Sequence, residues 1–284
     1  MAVSVAVLGY ASADHCVRVE ELPAPDATSI VRWRLSRPWP RLGGCGPEIA
    51  THLARAGEDA ACLTWVADDR TGQALLAQLR ESGADTTGVV IAGTRSPESF
   101  IAYDAQGRTA CFYDPGDAAA DTLSATQREL IAAAATVCLT VAPAGATAAA
   151  LDAVATETRV VWSVKADADA YPTGLVDRLL ARADVLALSA GERAFLGGRV
   201  PRSETIVIET RGAGGVSWMH RGREGHVPVR PIAVHDTTGA GDALVAGTVA
   251  RLGRGDGDVP AAVAAGIESS RVLLERRGRE EEDA

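Results

Sequence analysis

Seven consecutive residues near the C-terminal end, Asp236 to Asp242, combine residue types that bind an anion and accept a proton. Gly239 and Gly241 can adopt positive φ values and let a ligand approach the backbone without a Cβ clash. If a helix begins at Ala240, its first N–H groups lack intrahelical acceptors and, together with the helix dipole, suit phosphate oxygens. The carboxylate of Asp242 would repel a bound polyanion, and this repulsion costs free energy unless the carboxylate accepts a proton. The pattern therefore indicates a general base beside a phosphate cradle, as in phosphoryl transfer.

A purely structural interpretation of the same segment remains open. Asp242 would then stabilise its own helix as a first-turn carboxylate, and the glycines would only shape a tight turn. Short glycine patterns are common in proteins, so the segment by itself does not decide between the two interpretations.

The residues on either side predict the elements that position this segment. The apolar residues from Val227 to Val234 predict a strand, and the residues from His235 to Gly241 contain no strong helix former. Apolar residues then recur at helical spacing at Leu244, Val245, Val249 and Leu252. The segment is therefore predicted to connect a strand to a helix through its glycines.

Along the rest of the chain, apolar runs alternate with helix-length segments. The predicted strands are Val3–Leu8, Ala60–Val66, Thr136–Val141, Val160–Val164, Val185–Leu188 and Thr205–Ile208. Near-continuous apolar strands are typical of a parallel sheet that is covered on both faces. We therefore expect an α/β fold with a doubly wound, mostly parallel central sheet, helices on both faces and ligands at the carboxyl ends of the strands.

Two stretches, residues 15–41 and 97–114, do not follow this alternation of apolar runs and helix-length segments. Apolar and polar residues alternate within them, as in Ile30–Leu35 and Phe100–Tyr103, which predicts exposed antiparallel strands. We expect these strands to form a small β lid, because phosphoryl transfer benefits from the exclusion of water. A small β appendage with ordinary packing is the alternative.

The composition agrees with one large α/β domain. At 284 residues with 47% hydrophobic residues, the chain can bury a sizeable core as a single domain. The net charge of −9 argues against nucleic acid as a partner, because binding to its backbone needs clustered lysine and arginine. Neither a signal-peptide pattern nor an uninterrupted apolar stretch of roughly 18 residues is present. We therefore expect a soluble cytoplasmic protein that does not bind membranes.

No other set of residues competes as an active site. The five cysteines are widely spaced and lack a Cys-x-x-Cys pair, which indicates reduced thiols rather than a zinc site or a disulfide framework. The five histidines are scattered, and only His15 lies beside a candidate substrate residue. Walker, dinucleotide-binding and nucleophile-elbow motifs are absent, which argues against other classes of nucleotide enzyme and hydrolase.

The complete string Asp-Thr-Thr-Gly-Ala-Gly-Asp, followed by Ala243 and Leu244, resembles the C-terminal signature of the ribokinase-like, or PfkB-type, carbohydrate kinases. Other segments fit the family in order and spacing: Val3–Leu8 with Asp14, Gly43–Gly46, Ala67–Gly72, Gly83–Asp85, Ala183–Leu186 and Thr210–Gly215. The resemblance implies a single ribokinase-like α/β domain over residues 1–284. It also implies transfer of the γ-phosphoryl group of ATP to a hydroxyl of a sugar, amino sugar or nucleoside.

The resemblance assigns roles to particular residues. Asp242 matches the family's catalytic base, and Gly239, Ala240 and Gly241 match its anion hole. Glu192 matches an acidic residue that helps to hold Mg²⁺ through water, in keeping with the preference of Mg²⁺ for water and few carboxylates.

Two further sets of residues match the ligand sites of relatives. The nucleotide-binding set is Ser189, Thr210, Gly212 and Gly215, with adenine contacts expected from residues 262–270. The acceptor-binding set is Asp14, Gly43, Gly44 and Glu48. A carboxylate such as that of Asp14 can accept two hydrogen bonds from the hydroxyls of a polyol.

Glu48 departs from the family, whose members usually have asparagine at this position. An ionised glutamate only accepts hydrogen bonds, so Glu48 and Asp14 would form a doubly anionic pocket. Such a pocket would disfavour a substrate phosphate and favour an uncharged or amine-bearing acceptor. Arginines in or beside the lid could instead neutralise the pocket or bind a phosphate, which keeps a sugar-phosphate kinase open; they are Arg32, Arg34, Arg37 and Arg41.

Ser189 and the segment Trp162–Lys165 also depart from the family pattern, which keeps a non-catalytic ligand-binding sensor or scaffold open as an alternative function. Relatives often bind K⁺ at the position of Asp236 and in the C-terminal region, but the chain after Glu275 is short and highly charged. Residues 279–284 are predicted to form a flexible acidic tail. In the family, lid strands can also mediate a homodimer.

Overall fold

A β-sheet forms the centre of the molecule in the computed structural model, which describes residues 4–35, 38–255 and 257–282. In those residues the nine strands of the sheet are β1 (Val5–Leu8), β5 (Ala60–Val66), β6 (Val89–Ile91), β9 (Thr136–Leu139), β10 (Arg159–Ser163), β11 (Val185–Ser189), β12 (Ile206–Thr210), β13 (Val216–His220) and β14 (Arg223–Val227). Their order is β14-β13-β12-β11-β10-β9-β1-β5-β6. Neighbours from β12 to β6 are parallel, and β13 and β14 are antiparallel. The predicted mostly parallel sheet is confirmed.

Helices cover both faces of this sheet. They are α1 (Cys45–Arg55), α2 (Arg70–Glu81), α3 (Ala125–Ala133), α4 (Ala144–Ala153), α5 (Thr173–Arg182), α6 (Ala240–Gly253) and α7 (Val259–Glu282). Successive strand residues point to opposite faces. Val5 and Val7 pack in a core with α1, α6 and α7, whereas Ala6 and Leu8 pack in a second core with α3, α4 and α5. Because both faces are buried, the strands are continuously apolar, which is the pattern that located them.

The strand order reverses at β1, which pairs with β5 on one side and with β9 on the other. In doubly wound sheets a ligand crevice opens outside the carboxyl ends of the strands at such a point. Gly9 follows β1 and lies against Gly46 in α1 and Thr140 after β9. A Cβ at Gly9 would lie 2.8 Å from the Gly46 nitrogen and 2.5 Å from the Thr140 methyl group. Glycine at position 9 therefore lets α1 begin directly at the crevice.

A separate small sheet lies beside this crevice, as predicted. Its strands are β2 (Ser12–Val19), β3 (Val31–Arg34), β4 (Arg41–Gly43), β7 (Glu98–Tyr103) and β8 (Thr109–Asp114). The order is β3-β2-β7-β8, and β4 also pairs with β2. The prediction of antiparallel strands is wrong for β2 and β7, which pair in parallel because a long connection through α1, β5, α2 and β6 separates them. The prediction of exposed strands holds for β3 but not for β2, which is mostly buried.

The two faces of the small sheet carry different residues. Asp14, Ser99 and Tyr113 are partners across β2, β7 and β8 and therefore share one face. His15 points to the opposite face, where its ring stacks on Phe100 with centroids 4.8 Å apart. The candidate His15 is therefore not brought together with Asp14.

Residues 228–234 do not continue the strand that the sequence predicts over Val227 to Val234. The strand β14 ends at Val227, and the chain then runs irregularly to the start of α6. Pro228 and Pro231 have no backbone N–H, so this segment cannot form a continuous ladder. Asp14 lies inside β2, six residues after the end of β1 at Leu8.

The C-terminal helix α7 corrects the prediction of a flexible tail over residues 279–284. Residues 279–282 are helical, and residues 283 and 284 lie outside the described residues. The end of α7 is fixed by Glu281, whose carboxylate accepts hydrogen bonds from the N–H groups of His235 and Asp236 at 2.8–3.1 Å. Neither α7 nor any other helix within 4–35, 38–255 and 257–282 has the length and apolarity needed to cross a membrane.

Candidate active site

The N-terminus of α6 offers backbone donors beside open space. Gly239 forms the N-cap with a φ of 83°, a conformation that favours glycine. The Ala240 N–H bonds to the Thr237 carbonyl at 3.2 Å, whereas the N–H groups of Gly241 and Asp242 have no acceptor among the described residues. A Cβ at Gly241 would meet no atom within 4 Å. The start of α6 is therefore suited to bind phosphate oxygens.

Asp242 places a buried carboxylate in the first turn of α6. Its residue exposure is 6%, and its Oδ1 atom has no hydrogen-bond donor in the part of the chain that the structure describes. Lys165, after β10, has its Nζ atom 3.9 Å from this oxygen. Burial raises the pKa of Asp242, although Lys165 opposes the shift. A carboxylate oxygen of raised basicity without a protein donor is suited to accept a proton from a ligand.

Cys45 is the first residue of α1, and it places the N-terminus of this helix beside Asp242. Its thiol lies beside Asp242, and burial, followed by the charge of Asp242, raises the pKa of Cys45 to about 12. At neutral pH the thiol is therefore protonated and acts as a weak donor to the carboxylate. The pKa of Lys165 is raised by Cys45 and Asp242, so this ammonium group stays charged. The structure thus gathers Asp242, Lys165 and the starts of α1 and α6 at the crevice.

Asp14, Gly43 and Gly44 also lie together. A Cβ at Gly43 would lie 2.2 Å from the Asp14 carboxylate, so only glycine leaves room for that group. Gly44 has a φ of 86°, and a Cβ there would lie 2.2 Å from the Tyr10 carbonyl. Burial raises the pKa of Asp14 to about 6 despite the opposing charge of Arg41. This buried carboxylate beside bare backbone is a suitable acceptor for ligand hydroxyls.

Glu48 contacts a different part of the site. Its Oε2 atom lies 3.5 Å from His52 Nε2, and its carboxyl group lies 3.5 Å from the position of a Cβ at Gly239. Burial would raise the pKa of Glu48, but His52 and Arg41 together lower it. Glu48 therefore lies as an ionised group beneath the loop formed by residues 236–241, which we call the anion loop. Its link to Asp14 is electrostatic: the Glu48 charge contributes to the raised pKa of Asp14.

The four arginines of the lid region have separate roles. Arg41 is buried and forms an ion pair with Asp236. The Arg34 guanidinium lies over the ring of Trp39, with its central carbon 4.0 Å from the centroid. Arg32 forms an exposed ion pair with a neighbouring glutamate at 2.9 Å, and Arg37 lies outside the described residues. Arg41 alone of the three described arginines neutralises charge in the interior of the site.

A cavity of about 580 Å³ adjoins the start of α6. Three of the four predicted nucleotide-binding residues, Thr210, Gly212 and Gly215, line it together with Ala240 and Gly241. The irregular residues 228–232 and 234 form another wall, which the sequence analysis missed because it assigned them to a strand. From the expected adenine segment 262–270, Ile267 and Ser270 line the cavity.

Ser189 and Glu192 lie at the carboxyl end of β11. Ser189 is the register partner of Thr210, which lines the cavity. The Glu192 Oε2 atom accepts a hydrogen bond from the Ser189 N–H at 2.7 Å. In the described residues no cluster of three metal-ligating side chains is present. Glu192 is therefore a single carboxylate that does not line the cavity, and its charge contributes to the raised pKa of Lys165.

A family model described as "pfkB family carbohydrate kinase" matches residues 3–282. The chain belongs to the pfkB family of carbohydrate kinases. Among curated relatives, the chain is similar to a fructokinase from Klebsiella pneumoniae, with 30% identity over 234 residues that cover 74% of this chain and 76% of that protein. It is also similar to fructokinase-1 from Oryza sativa subsp. japonica, with 28% identity over 240 residues that cover 74% and 73% of the two chains.

Solved structures show the same fold. The ribokinase from Arabidopsis thaliana complexed with ribose and ATP gives a TM-score of 0.76 at 20% identity, with 95% of this chain and 92% of that chain covered. A nucleoside kinase from Methanocaldococcus jannaschii gives a TM-score of 0.76 at 16% identity, with coverage of 97% and 92%. The predicted fold is thus confirmed. Family membership makes the chain an ATP-dependent sugar kinase, a phosphotransferase with an alcohol acceptor, and does not favour a non-catalytic sensor or scaffold.

Several residues of this pfkB-family site were not singled out by sequence reasoning. Lys165 follows a predicted strand, and its carboxyl-end position in a doubly wound sheet was the available signal. Tyr103 and Arg277 contact Asp236 from distant parts of the chain, with distances of 3.1 Å from the tyrosine hydroxyl and 3.7 Å from Arg277 Nε. No local pattern predicts these contacts, because they depend on how the small sheet and α7 pack.

The raised pKa of Asp14 predicts a pH-dependent affinity for a sugar acceptor. Above about pH 6 the carboxylate is ionised and accepts hydroxyl hydrogen bonds, and below it protonation removes an acceptor. The dissociation constant of the sugar, measured by calorimetry without ATP, should therefore rise up to about tenfold per pH unit as the pH falls below 6. The Asp14→Asn variant should bind weakly with a flat profile. Equal pH dependence in wild type and variant would contradict this role.

Proposed function

We propose that this chain phosphorylates a free, uncharged sugar, and that fructose is the first acceptor to test. The observation that carries the proposal is the position of Asp242, whose buried Oδ1 atom has no donor among the described residues. Asp242 follows Gly241, which lines the cavity beside α6, and lies beside Cys45, two residues after the Gly43 that faces Asp14. The fructokinase names of the curated relatives support a ketose acceptor.

Asp242 is the proposed general base. A sugar hydroxyl held near Asp14 gives its proton to the Asp242 carboxylate while the hydroxyl oxygen attacks the γ-phosphorus and the bond to ADP breaks. Burial raises the pKa of Asp242 and so makes the carboxylate a stronger base at neutral pH. Lys165 opposes this shift and favours the ionised form that can accept the proton.

Charge on the transferring phosphoryl group is proposed to be stabilised by α6 and Lys165. The N–H groups of Gly241 and Asp242 have no acceptor among the described residues and lie at the positive end of the helix dipole. The Lys165 ammonium lies 3.9 Å from the base and therefore near the reacting hydroxyl. Fixed donors of this kind require no reorganisation during reaction, which makes them effective catalysts.

Glu192 is the proposed protein contact to Mg²⁺. Its Oε2 atom is occupied by the Ser189 N–H, and no donor among the described residues bonds Oε1. A single available carboxylate oxygen fits a metal that keeps most of its waters and binds the phosphates of the nucleotide. When bound, Mg²⁺ would neutralise charge on those phosphates. Glu192 would orient the metal through a water ligand.

The charges near Asp14 support an acceptor without a phosphate group. Asp14 and Glu48 are both acidic, and Arg41, the buried cation beside them, is already paired with Asp236. Arg34 is stacked on an aromatic ring. A sugar phosphate at Asp14 would therefore face this carboxylate and the nearby charge of Glu48 without a free buried arginine, whereas a neutral sugar, an amino sugar or a nucleoside would avoid this repulsion.

The small sheet is the proposed lid and dimer surface. Tyr113 of this sheet lies near Tyr10 after β1, with ring centroids 6.4 Å apart, so the sheet reaches over the crevice. The side of the sheet opposite Asp14 exposes Phe100 and Phe112, which pair across β7 and β8, and Phe112 is 73% exposed. Exposed aromatic clusters of this kind mark interaction surfaces, and we infer that a second copy of this chain covers them.

We also infer that the protein acts in the cytoplasm. Its phosphoryl donor is ATP, and all five cysteines are free. Cys111 is exposed and Cys45 lies beside the proposed base, so a reducing compartment would keep both thiols intact.

Replacing the proposed base should remove turnover and keep nucleotide binding. We expect Asp242→Asn to lower kcat by at least about 10²–10⁴-fold, because the amide cannot accept the hydroxyl proton. The measurement is coupled ADP release with MgATP and fructose, together with titration of ADP binding by calorimetry. Asp152→Asn, an exposed carboxylate on α4, is the matched control and should behave as wild type. Turnover of Asp242→Asn near the wild-type rate would refute the assignment.

The dimer proposal is tested by sedimentation. We expect the wild-type protein to sediment as a dimer and Phe112→Asp to sediment as a monomer, because a charge in the apolar interface costs several kcal/mol. Val200→Asp is the control, since Val200 is 78% exposed and lies outside the small sheet. A monomeric wild-type protein, or equal dissociation of both variants, would contradict the proposal.

A further inference from the structure

We propose that Arg41 and Arg277 take the place of a bound monovalent cation at Asp236, so that the kinase needs neither K⁺ nor Na⁺. The cation implied by the family resemblance does not fit the residues that surround this carboxylate. The part of the inference that concerns turnover rests on the proposed function, whereas the part that concerns cation binding does not.

The Asp236 carboxylate has no solvent exposure and already has donors on both oxygens. Its Oδ1 atom accepts hydrogen bonds from Arg41 Nη2 at 3.2 Å, from the Tyr103 hydroxyl at 3.1 Å and from the Thr238 N–H at 3.0 Å. Its Oδ2 atom accepts a hydrogen bond from Arg41 Nη1 and lies 3.7 Å from Arg277 Nε. A carboxylate oxygen has about two lone pairs, so Oδ1 is fully occupied, and a metal ion at the remaining lone pair of Oδ2 would have to lie beside the Arg277 guanidinium.

The position of the two guanidinium groups leads to the same conclusion. Arg41 and Arg277 both lie against the Asp236 carboxylate, and the neighbouring Glu281 carboxylate already accepts hydrogen bonds from the His235 and Asp236 N–H groups. Glu280 adds a further contact to Arg277 at 3.3 Å. A monovalent cation at Asp236 would have to be buried beside two guanidinium groups, where repulsion is strong because the local dielectric is low.

Arg41 also connects the lid to the anion loop. It lies on β4 opposite Asp14 of β2 and forms a two-pronged ion pair with Asp236. The Asp236 carboxylate in turn holds the Thr238 N–H, one residue before Gly239. Arg41 is therefore a positioning residue: it fixes the loop that begins α6 relative to the small sheet without touching the reacting atoms.

The first test uses the wild-type protein. Its melting temperature and its rate of ADP release with MgATP and fructose are measured in the chloride salts of K⁺, Na⁺ and tetramethylammonium at equal ionic strength. We expect the three rates to agree within about twofold and K⁺ to leave the melting temperature unchanged, because a ligand stabilises only the state that binds it. A several-fold activation by K⁺, or a melting temperature that rises with K⁺ but not with tetramethylammonium, would overturn the proposal.

The two measurements separate the two proposals. If no acceptor supports ADP release in any salt, the proposed kinase activity fails, and the melting series still decides whether a cation binds. If ADP is released at a K⁺-dependent rate, the proposed kinase activity is supported, and the proposal that Arg41 and Arg277 replace the cation is refuted.

Variants test the arginines directly. Arg41→Met should lower the melting temperature by several degrees and create a response to K⁺ in both melting temperature and kcat, because it frees one side of the Asp236 carboxylate. If Arg41→Met does not fold, Arg277→Met, which removes the longer contact, is measured instead. Arg178→Met, which removes an exposed ion pair between α4 and α5, is the control without a K⁺ response. A folded Arg41→Met or Arg277→Met protein with no greater K⁺ response than Arg178→Met would count against the proposal.

Discussion

A carboxylate without solvent exposure requires opposite charge nearby, and Asp236 meets this requirement with residues from two distant parts of the chain. Arg41 comes from the small sheet and Arg277 from the C-terminal helix. Breaking a buried ion pair typically costs about 3–5 kcal/mol, which is a large share of the stability of a domain. The small sheet, the anion loop and α7 are therefore held as one unit, and this arrangement sets where α6 begins.

Three buried aspartates show how their surroundings give them different properties. Asp236 has several donors, and although burial opposes the effect, Arg41 and the other donors lower its pKa. Asp14 and Asp242 have less compensation, so burial raises the pKa of each. The well-compensated carboxylate is suited to a structural role. The other two retain capacity to interact with a ligand, one as an acceptor for hydroxyl groups and the other as a base.

Sequence reasoning predicted the features that depend on local pattern. Continuous apolar runs located the parallel strands, because both faces of the sheet are buried. The glycines between the predicted strand and the helical pattern predicted a helix start, and Gly239 is the N-cap of α6 with a φ of 83°. The prediction of a strand up to Val234 was wrong, because it followed the apolar residues and did not account for Pro228 and Pro231, which have no backbone N–H. Contacts such as those of Arg277 and Tyr103 with Asp236 depend on tertiary packing, which residue spacing does not encode.

We propose that the buried base Asp242 acts on an uncharged sugar whose hydroxyl groups are held by Asp14. The most direct measurement is the ratio of kcat/KM for fructose to that for fructose 6-phosphate with MgATP, with the phosphorylated product identified by mass spectrometry. We expect a ratio above about 10², because a phosphate beside the Asp14 carboxylate and near the charge of Glu48 loses roughly 3 kcal/mol or more of binding. A ratio below one, with a bisphosphate as the main product, would contradict it.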